Sequence, residues 1–511
     1  MKITTSSISF NKIRKNNFLY IDKTAFIKKL LNDEDNLFIL QRPRRFGKSL
    51  LLSTMFSIFN GEAELFDGLD LNSSNYDFVK SPVLKLSFMT TPWQSNMQLE
   101  WGIYNQLCEV GKKLTGLSIE NEMKDHPTAL RCLVDILKDK TGIEPVILVD
   151  EYDGPILNSL DQTKTSDDAK TAKESQTTED TQTAKAVNTA MNNAKELGRF
   201  FATIKELNQD DLIRFAFVTG VSKFSMTSIF SGANVFADIS ENIDYANICG
   251  ITIDEFDKHL KIPIMKMFDD GLFNNTEFKD FETFIESLTD MYDGYSWDGF
   301  DRIFNPMSLL NTVKNRQFKA YWFRSGTPTF LNRFVKSQPD IALNLEQVEM
   351  GANELDNQTA EDLSFVPLLY QTGYLTLAHP LEKNTYILKI PNIEVKNALY
   401  HLITKALVGK KLGNYKAFGK KIIHAFRENN MEELQNNLTT LINQLQLFPS
   451  ELGERAFHLF ILTFLISADV EKIYSELPIE GGRVDICFTL DERKAFLLEL
   501  KEFNPKPQTI P

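Results

Sequence analysis

The segment Asn36-Leu-Phe-Ile-Leu-Gln-Arg-Pro-Arg-Arg-Phe-Gly-Lys-Ser49 runs from an apolar stretch into Gly-Lys-Ser, and an amphipathic pattern opening at Leu50 follows it. A strand, a tight loop and a helix in that order can hold phosphate. Amides at the helix N-terminus face the anion, Lys48 reaches its terminal phosphates and the Ser49 hydroxyl binds Mg²⁺. The loop departs from GxxxxGK[ST], because Arg42 stands where the first glycine would. Pro43 holds Arg42 extended and removes one amide from the cradle, while Arg44 and Arg45 can compensate with side-chain charge. The whole loop, Arg42-Pro43-Arg44-Arg45-Phe46-Gly47-Lys48-Ser49-Leu50, is therefore expected to bind the nucleotide, with ATP and Mg²⁺ as cofactors.

A hundred residues on, Val146-Ile-Leu-Val-Asp-Glu-Tyr-Asp153 ends four apolar residues in two acids. A carboxylate at the carboxyl end of a buried parallel strand lies where open α/β sheets bind ligands. Asp150 is expected to hold Mg²⁺ through water, and Glu151 to polarise an attacking water as catalytic base. A third apolar run, Ile213 to Val218, ends in Thr219-Gly-Val-Ser-Lys223. Thr219 or Lys223 could sense the terminal phosphate, or the segment is an ordinary strand-end turn.

Near the C-terminus, Glu476, then Gly482-Arg-Val-Asp485, then Phe496-Leu-Leu-Glu499-Leu-Lys501 follow apolar strand-like residues. Asp485 and Glu499 on adjacent strands could share Mg²⁺. Lys501, two residues after Glu499 and on the same face, could orient a water for phosphodiester cleavage. Glu454, opening an apolar helical run, could add a carboxylate. Taken alone, acids in such places also serve as solvent-side charges.

The elements that must position these groups can be read from apolar runs. Leu37 to Leu40, Val83 to Phe88, Val146 to Val149 and Ile213 to Val218 are short and unbroken, with helical patterns between them, which predicts a parallel sheet covered on both faces. Residues 161–186 contain almost no large apolar side chain and are expected to form a disordered insert that loops out of this domain. Beyond Gly250 the chain reads as Phe- and Leu-rich helices, punctuated by Asp293-Gly-Tyr-Ser-Trp-Asp-Gly299. A short β element is expected around Tyr370 to Leu377 and Tyr386 to Ile390.

At 511 residues the chain is long enough for two or three domains. Its four cysteines, Cys108, Cys132, Cys249 and Cys487, form no CxxC pair, which argues against a disulfide framework or zinc site and for a cytoplasmic location. The run Ala456 to Ala468 is too short to span a bilayer. A net charge of −13 repels a polyanion unless a local basic surface meets it. Val395 to Arg427 supplies such a surface, with eight basic and no acidic residues interleaved with Tyr400, Tyr415 and Phe418. It is either a nucleic-acid contact or a solvated helix face.

Eight segments, read in order, resemble the AAA-ATPase-like proteins of bacteria that carry a C-terminal PD-(D/E)XK nuclease-like domain. They are YIDKT from Tyr20, RPRRFGKSL from Arg42, VDEYDGPI from Val149, TGVSKFS from Thr219, YDGY from Tyr292, NPMSLL from Asn305, YWFRSGTP from Tyr321 and QTGYLT from Gln371. Arg42 in the first loop position is normal for that resemblance, which implies ATP binding.

The fold expected is α/β. A P-loop NTPase parallel sheet (1–250) is followed by a helical extension (251–341), a mixed connecting region (342–450) and an incomplete α+β PD-(D/E)XK nuclease-like domain (451–511). In the resembled fold a helix and strand follow the ExK strand. Glu502 to Pro511, with Pro505, Pro507 and Pro511, cannot supply both, so a poor nuclease is expected unless a partner subunit or second copy covers the strand. The reading that follows is an ATPase whose nucleotide state controls a nuclease-like module on nucleic acid. Its rivals are an ATP-dependent switch or scaffold, in which that module only binds, and a P-loop kinase.

Overall fold

The computed structural model describes residues 2–5, 9–73, 76–117, 125–161, 175–223, 235–273, 278–322, 331, 334–335, 338, 345, 347–356, 364–408, 415–444, 453–468, 470, 472–479, 482–491 and 494–500. The chain divides into two compact units. One comprises Met1–Phe330 with Gln347–Glu394, and the other Leu331–Glu346 with Val395–Pro511. This division differs from the boundaries expected at 250, 341 and 450. The extension beyond Gly250 joins the sheet domain in one unit, and the expected connecting region is split at Glu394.

The first unit is built on strands β1 (Leu37–Gln41), β2 (Val83–Ser87), β3 (Val146–Asp150), β4 (Phe215–Gly220) and β5 (Ala237–Asp238), in the order β2-β3-β4-β1-β5. All four pairings are parallel, with Ile39 beside Val218 and Leu148 beside Phe217. β1 and β4 are buried at every position, as a sheet covered on both faces requires. Because the pairing is parallel, the carboxyl ends of β1, β4 and β3 share one edge, and the loops that carry Lys48, Thr219 and Asp150 meet there.

Helices Lys48–Phe59, Asn96–Thr115, His126–Thr141, Gly154–Asp161 and Ser175–Gln209 occur among the intervening segments. Two of them carry their stop and start signals in sequence. The side chains of Ser95 and Asp125 accept amide bonds at the N-termini, and Gly116 and Gly142 end the helices in the left-handed conformation.

The expectation of a disordered 161–186 insert needs correction. Asp161 ends one helix, and Ser175–Gln209 is a continuous helix covering nearly half of the expected insert; 162–174 lie outside the described residues. The expectation failed because it asked what the segment could bury. Ala, Glu, Lys and Gln are good helix formers without an apolar face, and this run extends a helix that Leu197, Phe200, Phe201, Ile204 and Leu207 anchor in the core.

The extension has its own apolar cluster, in which Phe256, Leu260, Ile264, Phe284, Leu288 and Val313 are all buried. A three-stranded antiparallel sheet, with Thr385–Lys389 between Gln347–Gly351 and Thr376–Leu377, completes the unit. The β element expected from Tyr370 is shorter than the apolar run suggested. Phe365–Thr372 is a helix that Gly373 terminates at φ +89°, and only Thr376–Leu377 is strand.

The second unit contains helices Tyr415–Arg427, Met431–Gln444 and Gly453–Ser467, and an antiparallel sheet with Gly482–Asp491 between Lys472–Ile479 and Lys494–Leu498. Phe426 packs on Phe488 and Phe496. Among the described residues no helix is long and apolar enough to cross a membrane.

Glu394, in the first turn of helix Ile393–Val408, is buried at 1% exposure and accepts the Trp322 amide at 2.7 Å. Burial pushes its carboxyl up to about 7, against the lowering effect of hydrogen bonds from Ser308 and the Trp322 and Tyr321 amides. The folded state therefore holds this proton more tightly than the unfolded chain does. The stability it contributes is present below the ordinary carboxylate pKa and is lost as pH rises through about 7. Glu394→Gln, which keeps an acceptor for the amide, should be the more stable protein above that pH, by up to about 3 kcal/mol. Denaturant melts across pH 4 to 8 measure this, and equal stability of the two proteins at all pH values would refute it.

Candidate functional site

The loop after β1 turns on two residues of positive φ, Arg45 (+72°) and Gly47 (+98°), and Gly47 caps helix Lys48–Phe59. No atom lies within 4 Å of where a Gly47 Cβ would sit, so backbone conformation rather than space requires glycine here. Arg45 and Ser49 are exposed, Arg44 and Leu50 partly so. Lys48 is buried, and its Nζ donates to two carbonyls of its own loop, Arg42 O at 2.7 Å and Pro43 O at 3.0 Å. Burial lowers its pKa, while Asp150, Glu151 and Asp153 act in the opposite direction.

Arg42 was expected among the nucleotide ligands, but the structure gives its side chain other partners. Its guanidinium is buried at 1% exposure and donates to the carbonyls of Gln41 (2.9 Å), Ser240 (2.6 Å), Tyr245 (3.2 Å) and Ala246 (3.4 Å). It also stacks on the Trp297 ring at 4.4 Å. Phe46 likewise turns inward, meeting Tyr295 and Trp297 edge-on at 4.7 and 5.0 Å. Pro43 packs on Gly373, where a Cβ would come within 2.7 Å of the proline ring, and the Tyr295 hydroxyl donates to Gly373 O at 3.0 Å.

The DGYSWDG turn, which reads in sequence as punctuation, thus supports the loop from behind. Two large aromatics inside a turn rich in Gly and Asp are the signal that could have exposed this role.

At the end of β3, Asp150 accepts the Thr219 hydroxyl from β4 at 2.8 Å. Glu151 follows with φ +52°. Burial raises its carboxyl above the usual range, Lys48 and Arg44 oppose the shift, and Asp150 and Asp153 add to it. Lys48, Asp150 and Glu151 therefore act on one another electrostatically at the same sheet edge.

Comparison with known proteins bears on this geometry. A family model described as "Predicted AAA-ATPase" (AAA-ATPase-like) matches residues 5–230, which include both the β1 loop and the β3 acids. An "Uncharacterized protein in vnfD 5'region" of Azotobacter chroococcum mcd 1 is 31% identical over 396 residues, 76% of this chain and 67% of that protein. The chain belongs to the AAA-ATPase-like family. The Aeropyrum pernix ORC2 protein, solved as ADPNP-ADP complexes, aligns over 75% of this chain and 94% of its own at 10% identity and a TM-score of 0.27. A likeness at that level fixes neither fold nor ligand.

Within this AAA-ATPase-like chain the remaining expected residues separate. Thr219 is buried and holds Asp150. Lys223, weighed as a phosphate sensor, is also buried and pairs with Asp238 at 2.9 Å and Glu241 at 3.2 Å. Asp485, half-buried on strand Gly482–Asp491, accepts the Leu500 amide at 2.5 Å, and Glu499 is exposed just past strand Lys494–Leu498. Lys501 lies outside the described residues. In the basic stretch, Lys420, Lys421 and Arg427 are exposed on helix Tyr415–Arg427, whereas Tyr400 is buried and Phe418 packs on Phe464 at 5.1 Å.

The contacts of Arg42 carry a direct test. Arg42→Lys forfeits the fork of carbonyl bonds and the stacking on Trp297, so it should destabilise the protein by about 2–4 kcal/mol in the absence of nucleotide. Unfolding without nucleotide measures it. Unchanged stability would return Arg42 to the phosphate side of the loop.

Proposed function

We propose that this AAA-ATPase-like protein binds ATP-Mg in the β1 loop and hydrolyses the terminal phosphate bond. The observation that carries the reading is the convergence of Lys48, Asp150 and Glu151 at one sheet edge, with Asp150 oriented by Thr219. Lys48 exchanges two loop carbonyls for phosphate oxygens. Ser49, exposed at the start of its helix, and Asp150 would hold Mg²⁺, which supplies charge neutralisation of the phosphates. The chemistry of this donor set fits Mg²⁺, a hard cation that takes hydroxyl, carboxylate and water oxygens. Glu151, next to Asp150 and free of a substrate-binding role, favours water over a substrate hydroxyl as nucleophile and so an ATPase over a kinase.

We propose further that the nucleotide state governs the second unit, which binds nucleic acid through the exposed lysines of helix Tyr415–Arg427, in the cytoplasm and with a second copy or partner subunit as the cover for its sheet. Commitment of Asp485 to the Leu500 amide favours binding over cleavage, so a switch with a non-cleaving nuclease-like module is preferred to an active nuclease using Asp485, Glu499 and Lys501.

ATP-Mg at a hundred times its Kd should stabilise the protein by about 2.7 kcal/mol, a shift of a few degrees in Tm, and Lys48→Ala should abolish that shift. Glu151→Gln should retain it while losing turnover. Because the Glu151 carboxyl is raised and must be ionised to act, wild-type kcat should fall as pH drops through a value above the ordinary carboxylate range. A full ATP-dependent shift in Lys48→Ala would show the loop to be misassigned. For the second unit, neutralising Lys420 and Lys421 should weaken DNA or RNA binding and flatten its salt dependence by about two counterions. An unchanged slope would leave a solvated helix face.

A further inference from the structure

Asp153 lies two residues beyond Glu151 and is buried at 1% exposure. Its Oδ2 accepts three bonds from the turn after β4: the Val221 amide at 2.9 Å, the Ser222 amide at 2.8 Å and the Ser222 hydroxyl at 3.3 Å. Tyr152 runs parallel to this clamp. Its amide donates to Thr219 O at 3.0 Å and its hydroxyl to Ser222 O at 2.8 Å. Gly220 lies between, where a Cβ would come within 2.4 Å of the Tyr152 ring and 2.8 Å of Asp153 Oδ1. The turns after β3 and β4 are thus stitched together by the two residues that follow Glu151.

The same two turns present the groups assigned to chemistry. Glu151 holds φ +52°, a left-handed conformation that a non-glycine residue keeps only where its surroundings fix it. Thr219, directly before Gly220, holds Asp150. Asp153 Oδ1 is buried without a hydrogen-bond partner, and burial raises the carboxyl above its usual range against the lowering effect of the Ser222 and Val221 amides. The charged groups that act on Glu151 are Lys48 and Arg44 on one side and Asp150 and Asp153 on the other.

We infer that Asp153 is a positioning residue for ATP hydrolysis, locking the β4 turn so that Glu151 and Asp150 keep a fixed geometry at the nucleotide edge. The inference rests on the ATPase reading.

Asp153→Ala tests it in the full chain, because it removes all three bonds to the β4 turn. We expect kcat for ATP to fall by about tenfold or more, with the ATP-Mg shift in Tm retained. Asp153→Asn, whose amide oxygen can still accept from Val221 and Ser222, should rescue kcat to within about threefold of wild type. A purely structural staple would lower Tm in Asp153→Ala and leave the kcat of the folded protein unchanged. Should Asp153→Ala not fold, Tyr152→Phe carries the test, since it releases Ser222 O from the same turn while keeping the ring; it should lower kcat severalfold with nucleotide binding intact.

Wild-type protein that binds ATP but never turns it over overturns the ATPase reading and this role with it. Turnover in wild type that Asp153→Ala retains within about twofold overturns the role alone. Unchanged kcat in Tyr152→Phe does the same.

Discussion

A buried cation governs the architecture of the site. Removing a guanidinium from water costs several kcal/mol unless its donors are met, and the two terminal nitrogens of Arg42 are met by backbone carbonyls of Gln41, Ser240, Tyr245 and Ala246, with the face of Trp297 against the group and Nε left without a hydrogen-bond partner. All of those supports but Gln41 come from segments some 200 or more residues away in sequence, and they must be in place before the loop can settle. The first unit therefore cannot be a sheet domain with an optional extension. Arg42 in the first loop position makes the Ser240–Ala246 segment and the Asp293–Gly299 turn part of the loop's own foundation, which accounts for one compact unit reaching beyond Gly250.

A second constraint is electrostatic. Lys48 is buried among Asp150, Glu151 and Asp153 and holds two carbonyls of its own loop. Those carbonyls keep a buried ammonium satisfied, but they are neutral acceptors, and an anionic phosphate oxygen is the stronger partner for a charged donor. The loop is thus stable as it stands and disposed to exchange. The same acids that favour a charged Lys48 disfavour one another, and burial raises the carboxyls of both Glu151 and Asp153.

What could be read in the sequence follows from how each feature is encoded. Strands β1 to β4 and the placing of Lys48 and Asp150 were legible because a parallel sheet buried on both faces writes itself as unbroken apolar runs, and its ligand edge is fixed by strand direction. The partners of Arg42 were not legible. Backbone carbonyls carry no side-chain identity, so nothing at Ser240 or Tyr245 advertises a guanidinium. Gly373 lies inside a run that reads as strand, and only the fold shows that it ends a helix and that Pro43 needs its missing Cβ. Helix Ser175–Gln209 was missed because composition reports what a segment can bury and not whether a neighbouring anchor can extend a helix through it. Asp153 was visible as the last acid of the run, but its three donors belong to β4.

The second unit poses the opposite problem, since its sequence suggested more chemistry than its contacts support. Tyr400, read as an aromatic interleaved with lysines, is buried, and Phe418 is half-buried against Phe464. Base stacking needs an exposed aromatic face. The exposed side chains described on helix Tyr415–Arg427 include Lys420, Lys421 and Arg427. A nucleic acid held there would be held by its phosphates, and phosphate contacts fix position without reading sequence. Selectivity among nucleic acids would then have to come from shape or from another surface. Asp485 and Glu499 are poor sources of it, since the first is engaged by the Leu500 amide and the second is exposed beyond the strand end. Under the function proposed above, such a unit would grip a polyanion without choosing where to cut.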